Sequence, residues 1–250
     1  MGRHTLELYD AIDEMPIGRF HRFNRCLMVD AGIGGDIAAV DAHLAKAIGF
    51  MKTEKTDLAV RELENMRQGI WLIQQGIDPK FSAFASLIAS VDGRSTEGMS
   101  ESELDGLLEE LKDVPFKVLS SELGEVKKKI DSELELYFPS VFGGGGRSTE
   151  WYSCLKRVSL AYLKEILEDA DAGEKVKVEE GRMLSMMAPR QFDGSNGAEV
   201  QYDREFETMC LAMTQQLHVN VKDMTVMEYY NAYEYLREQS KKMNAARHRR

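Results

Sequence analysis

Residues 141–152 read VFGGGGRSTEWY, and the four consecutive glycines divide a chain whose sequence pattern predicts helices on both sides. Glycine loses more backbone freedom on ordering than any other residue, so an uninterrupted run is rare inside a packed helix or strand. We therefore predict a helical N-terminal domain over 1–142, a glycine-rich linker over 143–150 and a smaller helical module over 151–250. The predicted fold class is mainly α.

The part before the glycines carries helix signals along most of its length. We predict a short amphipathic helix over 5–14 and a helix beginning near Ile17, whose apolar residues follow at helical spacing. Asp36 is predicted to cap the next helix. Asp78 and Pro79 are predicted to open a compact apolar helix that runs to Val91, because proline is tolerated in the first turn of a helix.

Two capping boxes mark the start of later helices. Ser100 with Glu103, and Thr225 with Glu228, have the three-residue spacing in which a hydroxyl and a carboxyl each bond the other residue's backbone N–H. Between these two helices, residues 171–202 show no clear helical period. We predict either a long loop there or a short β-hairpin near 174–202.

The last predicted helix is rich in tyrosine. Tyrosine offers a large contact area with few rotatable bonds and one polar group, so it suits a protein interface. Eight of the fourteen methionines follow residue 142, and thioether side chains adapt to irregular partners. A loosely specified small core has the same composition and remains an alternative. The predicted protein-interaction residues are Met224, Met227, Tyr229, Tyr230 and Tyr233.

No stretch of the sequence indicates a catalytic, cofactor or metal site. Gly32, Gly34 and Gly35 resemble a phosphate-binding loop, but the third glycine of that motif is absent and Asp36 would repel a phosphate at the helix start. The five histidines and three cysteines lack metal-ligand spacing. We predict no enzyme activity, no catalytic residues, no cofactor and no metal.

Composition and charge indicate a globular cytoplasmic protein. The chain has 250 residues, 43% of them hydrophobic, and the longest nearly apolar run, 81–91, is too short to cross a bilayer, so no membrane partner is expected. The net charge of −10 disfavours nucleic acid. The exception is the end of the chain, where residues 237–250 hold six Lys or Arg against one Glu.

The C-terminal layout resembles the tail assembly chaperones of long-tailed bacteriophages. The segment FETMCLAMTQQLH (206–218), a short connector and the capped helix VMEYYNAYEYLREQSKK (226–242) carry the resemblance, which covers about fifty residues closely. In that family a helical N-terminal domain is followed by a joint and a small helical extension. The family has no catalytic residues.

The resemblance implies a role in tail assembly in the host cytoplasm. The implied partners are the tape-measure protein and tail-tube subunits, and self-association is left open. The alternative is a structural subunit, such as a connector, ring or tail component, that is built into the virion. From the interaction residues, we expect replacement of the three tyrosines by alanine to abolish partner capture and leave the N-terminal domain folded.

Overall fold

The computed structural model describes residues 5–110, 116–143, 155–163, 172–186 and 188–247. The mainly α class is confirmed, and the described residues also form one small sheet. The helices are α1 (Ile17–Gly32), α2 (Ile37–Lys52), α3 (Thr56–Gln75), α4 (Pro79–Leu87), α5 (Glu101–Glu110), α6 (Phe116–Tyr137), α7 (Pro139–Phe142), α8 (155–163), α9 (Ala172–Met186), α10 (Ala198–Leu217), a 3-10 helix (Val221–Asp223) and α11 (Val226–Arg247). The strands are β1 (Leu6–Leu8), β2 (Ile88–Val91) and β3 (Arg94–Ser95).

The predicted caps form. The Asp36 carboxylate accepts a hydrogen bond from the first turn of α2 at 2.8 Å. Ser100 and Glu103 bond each other's backbone N–H, and Thr225 and Glu228 do the same at the start of α11. Local side-chain chemistry therefore sets where these three helices begin.

The sheet is antiparallel, with β2 between β1 and β3. Val91 faces Arg94 across a two-residue turn in which Asp92 and Gly93 both have positive φ, 49° and 75°. Asp-Gly is a favoured pair for such a turn because both positions need the left-handed region. The short hairpin therefore lies at 88–95 and not near 174–202.

Three predicted segments differ from the structure. The helix expected to reach Val91 ends at Leu87, because the following residues pair with β1. Residues 6–8, expected to be helical, form that partner strand, so sheet pairing overrides their local pattern. Much of the predicted loop 171–202 is the helix α9.

The main core takes side chains from both ends of the chain. Phe20 and Phe23 of α1 and Phe84 of α4 are buried together with Val226 and Tyr229 of α11. Helices α6 and α10 contribute further buried apolar residues to the same cluster. The last two helices are thus part of the core that the first helices form.

Backbone hydrogen bonds join the same two regions. The N–H of Ile17 donates to the carbonyl of Met224, and the N–H of Val226 donates to the carbonyl of Met15, each at 2.9 Å. The prediction that 1–142 and 151–250 fold as separate units is therefore corrected for the terminal helices, because hydrophobic burial and backbone pairing tie them to α1. Apart from Gly143, the predicted linker 143–150 lies outside the described residues.

Helices α2 and α3 form an antiparallel hairpin beside this core. At Gly69, α3 comes close to the loop between α1 and α2, and an added Cβ atom would lie 2.9 Å from the carbonyl oxygen of Ile33. His43 and Glu62 are buried between the helices and contact each other at 2.5 Å. The second ring nitrogen of His43 lies 3.0 Å from the same Ile33 carbonyl.

Candidate functional site

An aromatic cluster joins α1 to α11 at the outer edge of the core. The Tyr230 ring packs edge-on against Phe142, with centroids 4.9 Å apart, and against Phe20 at 6.4 Å. It also contacts Phe138 at 5.6 Å and Tyr229 at 5.2 Å. Edge-to-face and tilted geometries suit aromatic rings, whose faces are negative and edges positive.

Helix α10 supplies a second group of aromatic residues, which faces α1. Tyr202 and Phe206 are four residues apart on α10 and so point to one side of the helix. Both rings stack on the His21 ring of α1, at centroid distances of 4.5 and 4.0 Å and nearly parallel planes. Met209 lies one turn further along the same side and extends the apolar wall.

These side chains surround a cavity of about 270 Å³ that opens to solvent. Apolar and aromatic groups dominate the lining, and Glu205 stands among them. We call this cavity the aromatic pocket; its lining residues are Ile17, Phe20, His21, Val141, Tyr202, Glu205, Phe206, Met209, Tyr229, Tyr230 and Tyr233. Its volume is close to the lower limit of ligand pockets and suits one or two apolar side chains.

Three of the five predicted interaction residues meet in the pocket. The pocket is lined by Tyr229, Tyr230 and Tyr233. In contrast, Met224 and Met227 pack against the core, and their backbone groups form hydrogen bonds with residues 12–17. Tyr229 is only 5% exposed. The expectation of a tyrosine contact surface is thus modified: Tyr229 is a core residue, and Tyr230 and Tyr233 are partly buried against the core while they line the pocket.

This burial also changes the expected effect of the triple alanine replacement. Removing three packed rings opens a large void in the shared core, and voids destabilise the whole chain. We therefore expect that variant to lose stability throughout, and it does not separate binding from folding.

A charged network borders the pocket. The Nε2 atom of His21 donates to Asp203 at 2.8 Å, and Arg25 donates to Asp203 at 3.0 Å and to Glu101 at 2.6 Å. Burial lowers the pKa of Arg25, but its bonds to Glu101 and then Asp203 raise that pKa overall. Arg25 therefore stays charged and holds α1 against α5 and α10.

Tyr202, Tyr229 and Tyr230 of the pocket remain protonated at neutral pH. Burial raises the pKa of Tyr229 and Tyr230, and raises that of Tyr202 to about 12. Among the described residues, none forms a hydrogen bond with the hydroxyl of Tyr229, Tyr230 or Tyr233. These hydroxyls remain available to water or to a polar group of a partner.

Several pocket residues were not predicted to act at a site. Tyr202, Phe206 and Met209 have i, i+4, i+7 spacing, which indicates one helix face, but the sequence does not tell which structure that face meets. His21 carries no local signal at all. Its position depends on the packing of α10 against α1, which no pattern within either helix specifies.

Acidification is expected to weaken the contact between α1 and α10. Burial lowers the pKa of His21 and outweighs the hydrogen bond to Asp203, which raises it. The unfolded chain then binds more protons than the folded chain near the ordinary histidine pKa of 6.5, so stability falls as the pH drops through that range. Urea unfolding of wild type and of His21→Phe at pH 7 and about pH 5 measures this difference.

The His21→Phe variant keeps the stacking and removes the titrating group. We expect it to lose less stability on acidification than wild type. The raised pKa of the half-buried Glu199 carboxyl acts in the opposite direction and is present in both proteins, so it cancels in the comparison. An equal loss in both proteins would assign the pH dependence to other groups.

The described part of the chain has neither a membrane-spanning helix nor a cluster of metal-binding side chains. No helix there is both long and apolar enough to span a bilayer. The same residues include no group of three or more His, Cys, Asp or Glu side chains arranged to hold a metal ion.

The geometry of the pocket is suited to gripping apolar side chains. Its walls are mainly aromatic rings, its polar groups are phenols and the Glu205 carboxyl, an ion-pair network borders it, and its mouth is open. Comparison of the chain with protein-family models, with curated proteins and with solved structures finds no match.

Proposed function

We propose that this chain is a non-enzymatic assembly factor that binds another protein by taking apolar anchor side chains into the aromatic pocket. The observation that carries the proposal is an open cavity lined by Tyr229, Tyr230 and Tyr233 together with the aromatic wall of α10. Binding energy at protein interfaces is concentrated in a few side chains that fill such pockets. An amphipathic helix is a common ligand of this type because its anchors recur on one face.

The resemblance of the C-terminal helices to tail assembly chaperones gives the proposal its biological setting. We propose that the protein acts in the cytoplasm during phage tail assembly, and that its partner is a long helical protein of the tape-measure type. Such a protein exposes apolar helix faces until it is packed, and a pocket that covers an anchor on each exposed face limits aggregation. Tail-tube subunits are the second partner that the resemblance implies.

Two variants of α10 test the pocket without disturbing the core. Met209 lines the pocket and is 38% exposed, whereas Leu211 lies outside the pocket lining and is 61% exposed. Met209→Glu places a carboxylate next to Glu205, where a bound apolar side chain would have to bury it. We expect about tenfold weaker binding or more for Met209→Glu, and little change for Leu211→Glu.

The measurement is co-expression with the tape-measure protein encoded in the same genome, followed by a binding titration of the purified pair. The expected result is that wild type and Leu211→Glu keep the tape-measure protein in the soluble fraction and Met209→Glu does not. Equal capture by all three proteins would contradict the pocket assignment. Detection of the protein in purified mature virions would favour the structural-subunit alternative, since a chaperone leaves the particle.

A further inference from the structure

A second cavity lies at the N-terminus of α1. It has a volume of about 470 Å³ and opens to solvent. One wall is the beginning of α1, with Gly18, Arg19 and Arg22, and the other walls come from the loop after β3, the start of α5 and the 3-10 helix. We call it the α1 cavity. The end of a helix that carries partial positive charge thus borders an open space.

The first turn of α1 offers backbone donors at this cavity. The N–H of Ile17 donates to the carbonyl of Met224. The next two N–H groups, those of Gly18 and Arg19, have no acceptor within the described chain, and the N-cap residue Pro16 provides no side-chain cap. A Cβ atom added at Gly18 would meet no other atom within 4 Å, so a ligand can approach this turn closely. Unbonded N–H groups at a helix N-terminus favour an anion.

The side chain of Arg19 points independently to a ligand. It is only 8% exposed, and the one hydrogen-bond acceptor of its guanidinium among the described residues is the carbonyl of Thr96, which adjoins the cavity wall at 97–99. Its Nη1 atom is buried without a partner there, and no described carboxylate forms an ion pair with it. A buried charge is normally paired, because its removal from water is costly. Arg19 therefore lacks a counter-charge within the described chain.

The surroundings of Arg19 agree with a missing counter-charge. Burial lowers the pKa of Arg19, Tyr9 raises that pKa and the charge of Arg22 lowers it further, and no described carboxylate contributes. Arg22 is also buried and borders the same cavity, one turn further along α1. Its Nη1 atom donates to two neutral groups, the Ser82 carbonyl at 3.0 Å and the Ser86 hydroxyl at 2.9 Å. Two buried guanidinium groups therefore lie at one cavity.

Three described carboxylates at the same cavity limit the charge of a ligand. Glu101 is bound by Arg25 at 2.6 Å, and Asp223 accepts a hydrogen bond from the amide of Asn220 at 2.8 Å. Glu97 is exposed. These groups repel an anion, and the repulsion is twice as large for a dianion as for a singly charged group. The cavity therefore favours a single negative charge.

We propose that the α1 cavity binds the carboxylate group of a ligand. A carboxylate is planar and singly charged, and its two oxygens accept hydrogen bonds both from a guanidinium and from backbone N–H groups at a helix N-terminus. It supplies the counter-charge that Arg19 lacks. A small acid and the C-terminal end of a peptide both carry this group, so the two sources are compared.

The site is independent of the proposed function. Arg19 and Arg22 border the α1 cavity, whereas Phe20 and His21 of the same helix line the aromatic pocket. The two sites therefore use different sides of α1. Failure of carboxylate binding leaves the capture of a partner protein unaffected, and the reverse also holds.

An NMR titration of the full chain with sodium acetate tests the site, with sodium chloride at the same ionic strength as the reference. The backbone amide signals of Gly18 and Arg19 are expected to shift saturably with acetate and not with chloride. Inorganic phosphate at about pH 8, where it carries two charges, is expected to bind more weakly than acetate. Tighter binding of N-acetyl-trialanine than of acetate would assign the site to peptide ends, and equal binding would assign it to small acids.

Two variants, each with a matched control, test the residues. Arg19→Met removes the guanidinium and is expected to bind acetate at least about tenfold more weakly, whereas Arg204→Met, at an exposed position of α10, is expected to bind as wild type does. Gly18→Leu fills the space in front of the first turn without a change of charge and is expected to abolish the saturable shift. Gly124→Leu adds the same side chain in open space on α6 and is expected to have no effect.

Three results would overturn the proposal. They are the absence of a saturable shift in wild type, unchanged acetate binding by Arg19→Met and Gly18→Leu, and tighter binding of phosphate than of acetate. Gly18→Leu retains the charge of Arg19, so its result does not depend on how Arg19→Met folds. The amide spectrum of each variant checks its fold.

Discussion

Replacement of Tyr230 by alanine is expected to lower the free energy of unfolding of the whole chain by about 3 kcal/mol. The Tyr230 ring contacts Phe20 of α1, and Phe138 and Phe142 at the end of the N-terminal half. Its removal leaves a void where three elements meet, and the surrounding rings cannot close it without leaving their own positions. Urea unfolding followed by far-UV circular dichroism measures the loss.

The matched control is Tyr235→Ala on the same helix. Tyr235 is 58% exposed and lies outside the core cluster, so its replacement is expected to change stability by no more than about 0.5 kcal/mol. Both variants are expected to unfold in one transition. A separate early transition confined to the C-terminal helices of Tyr230→Ala would contradict the shared core and would restore the two-domain interpretation.

Replacement of Glu62 by leucine is expected to destabilise the chain by about 3–5 kcal/mol. Glu62 and His43 are both buried, and the ring of His43 has acceptors at both nitrogens, the Glu62 carboxylate and the Ile33 carbonyl. Removal of the carboxylate leaves a buried polar nitrogen without its acceptor, at a position that water does not reach. The measurement is again urea unfolding, with Glu64→Leu on the same helix as the control.

A double-mutant cycle separates the pair from the packing. His43→Phe combined with Glu62→Leu removes both members of the pair, and the Ile33 carbonyl loses its partner in His43→Phe and in the double variant alike. The double variant is therefore expected to lose clearly less than the sum of the single losses. Additive losses would mean that the two side chains contribute through volume alone. The pair also joins α2 to α3, because His43 and Glu62 lie on different helices of the hairpin.

The helix starts and the helix faces were predictable. Asp36, Ser100 and Thr225 cap helices because each side chain bonds backbone within its own first turn, and that chemistry needs no distant partner. The apolar spacing near Ile17 likewise indicates the buried face of α1. The pair Asp92-Gly93 is a further local signal, since Asp-Gly favours the turn that joins β2 to β3.

The errors share one physical cause. Residues 6–8 are extended because β2 lies beside them, and α9 is helical although its valines alternate with charged residues. In both segments the local preference is weak, and packing or pairing with residues far along the chain decides the conformation. The same holds for Tyr229, which on α11 alone is equally compatible with an exposed interface and a buried core.

The sequence by itself determined the helical class, the capped starts of α2, α5 and α11, and the aromatic stripe of the last helix, because these depend on neighbours within a few residues. Only the tertiary structure decided that this stripe returns to α1 and that three of its tyrosines line a pocket with α10. The return of the stripe to α1 depends on contacts between residues more than two hundred positions apart. The free energies of such contacts are collective properties of the packed core and leave no mark on the spacing within any one segment.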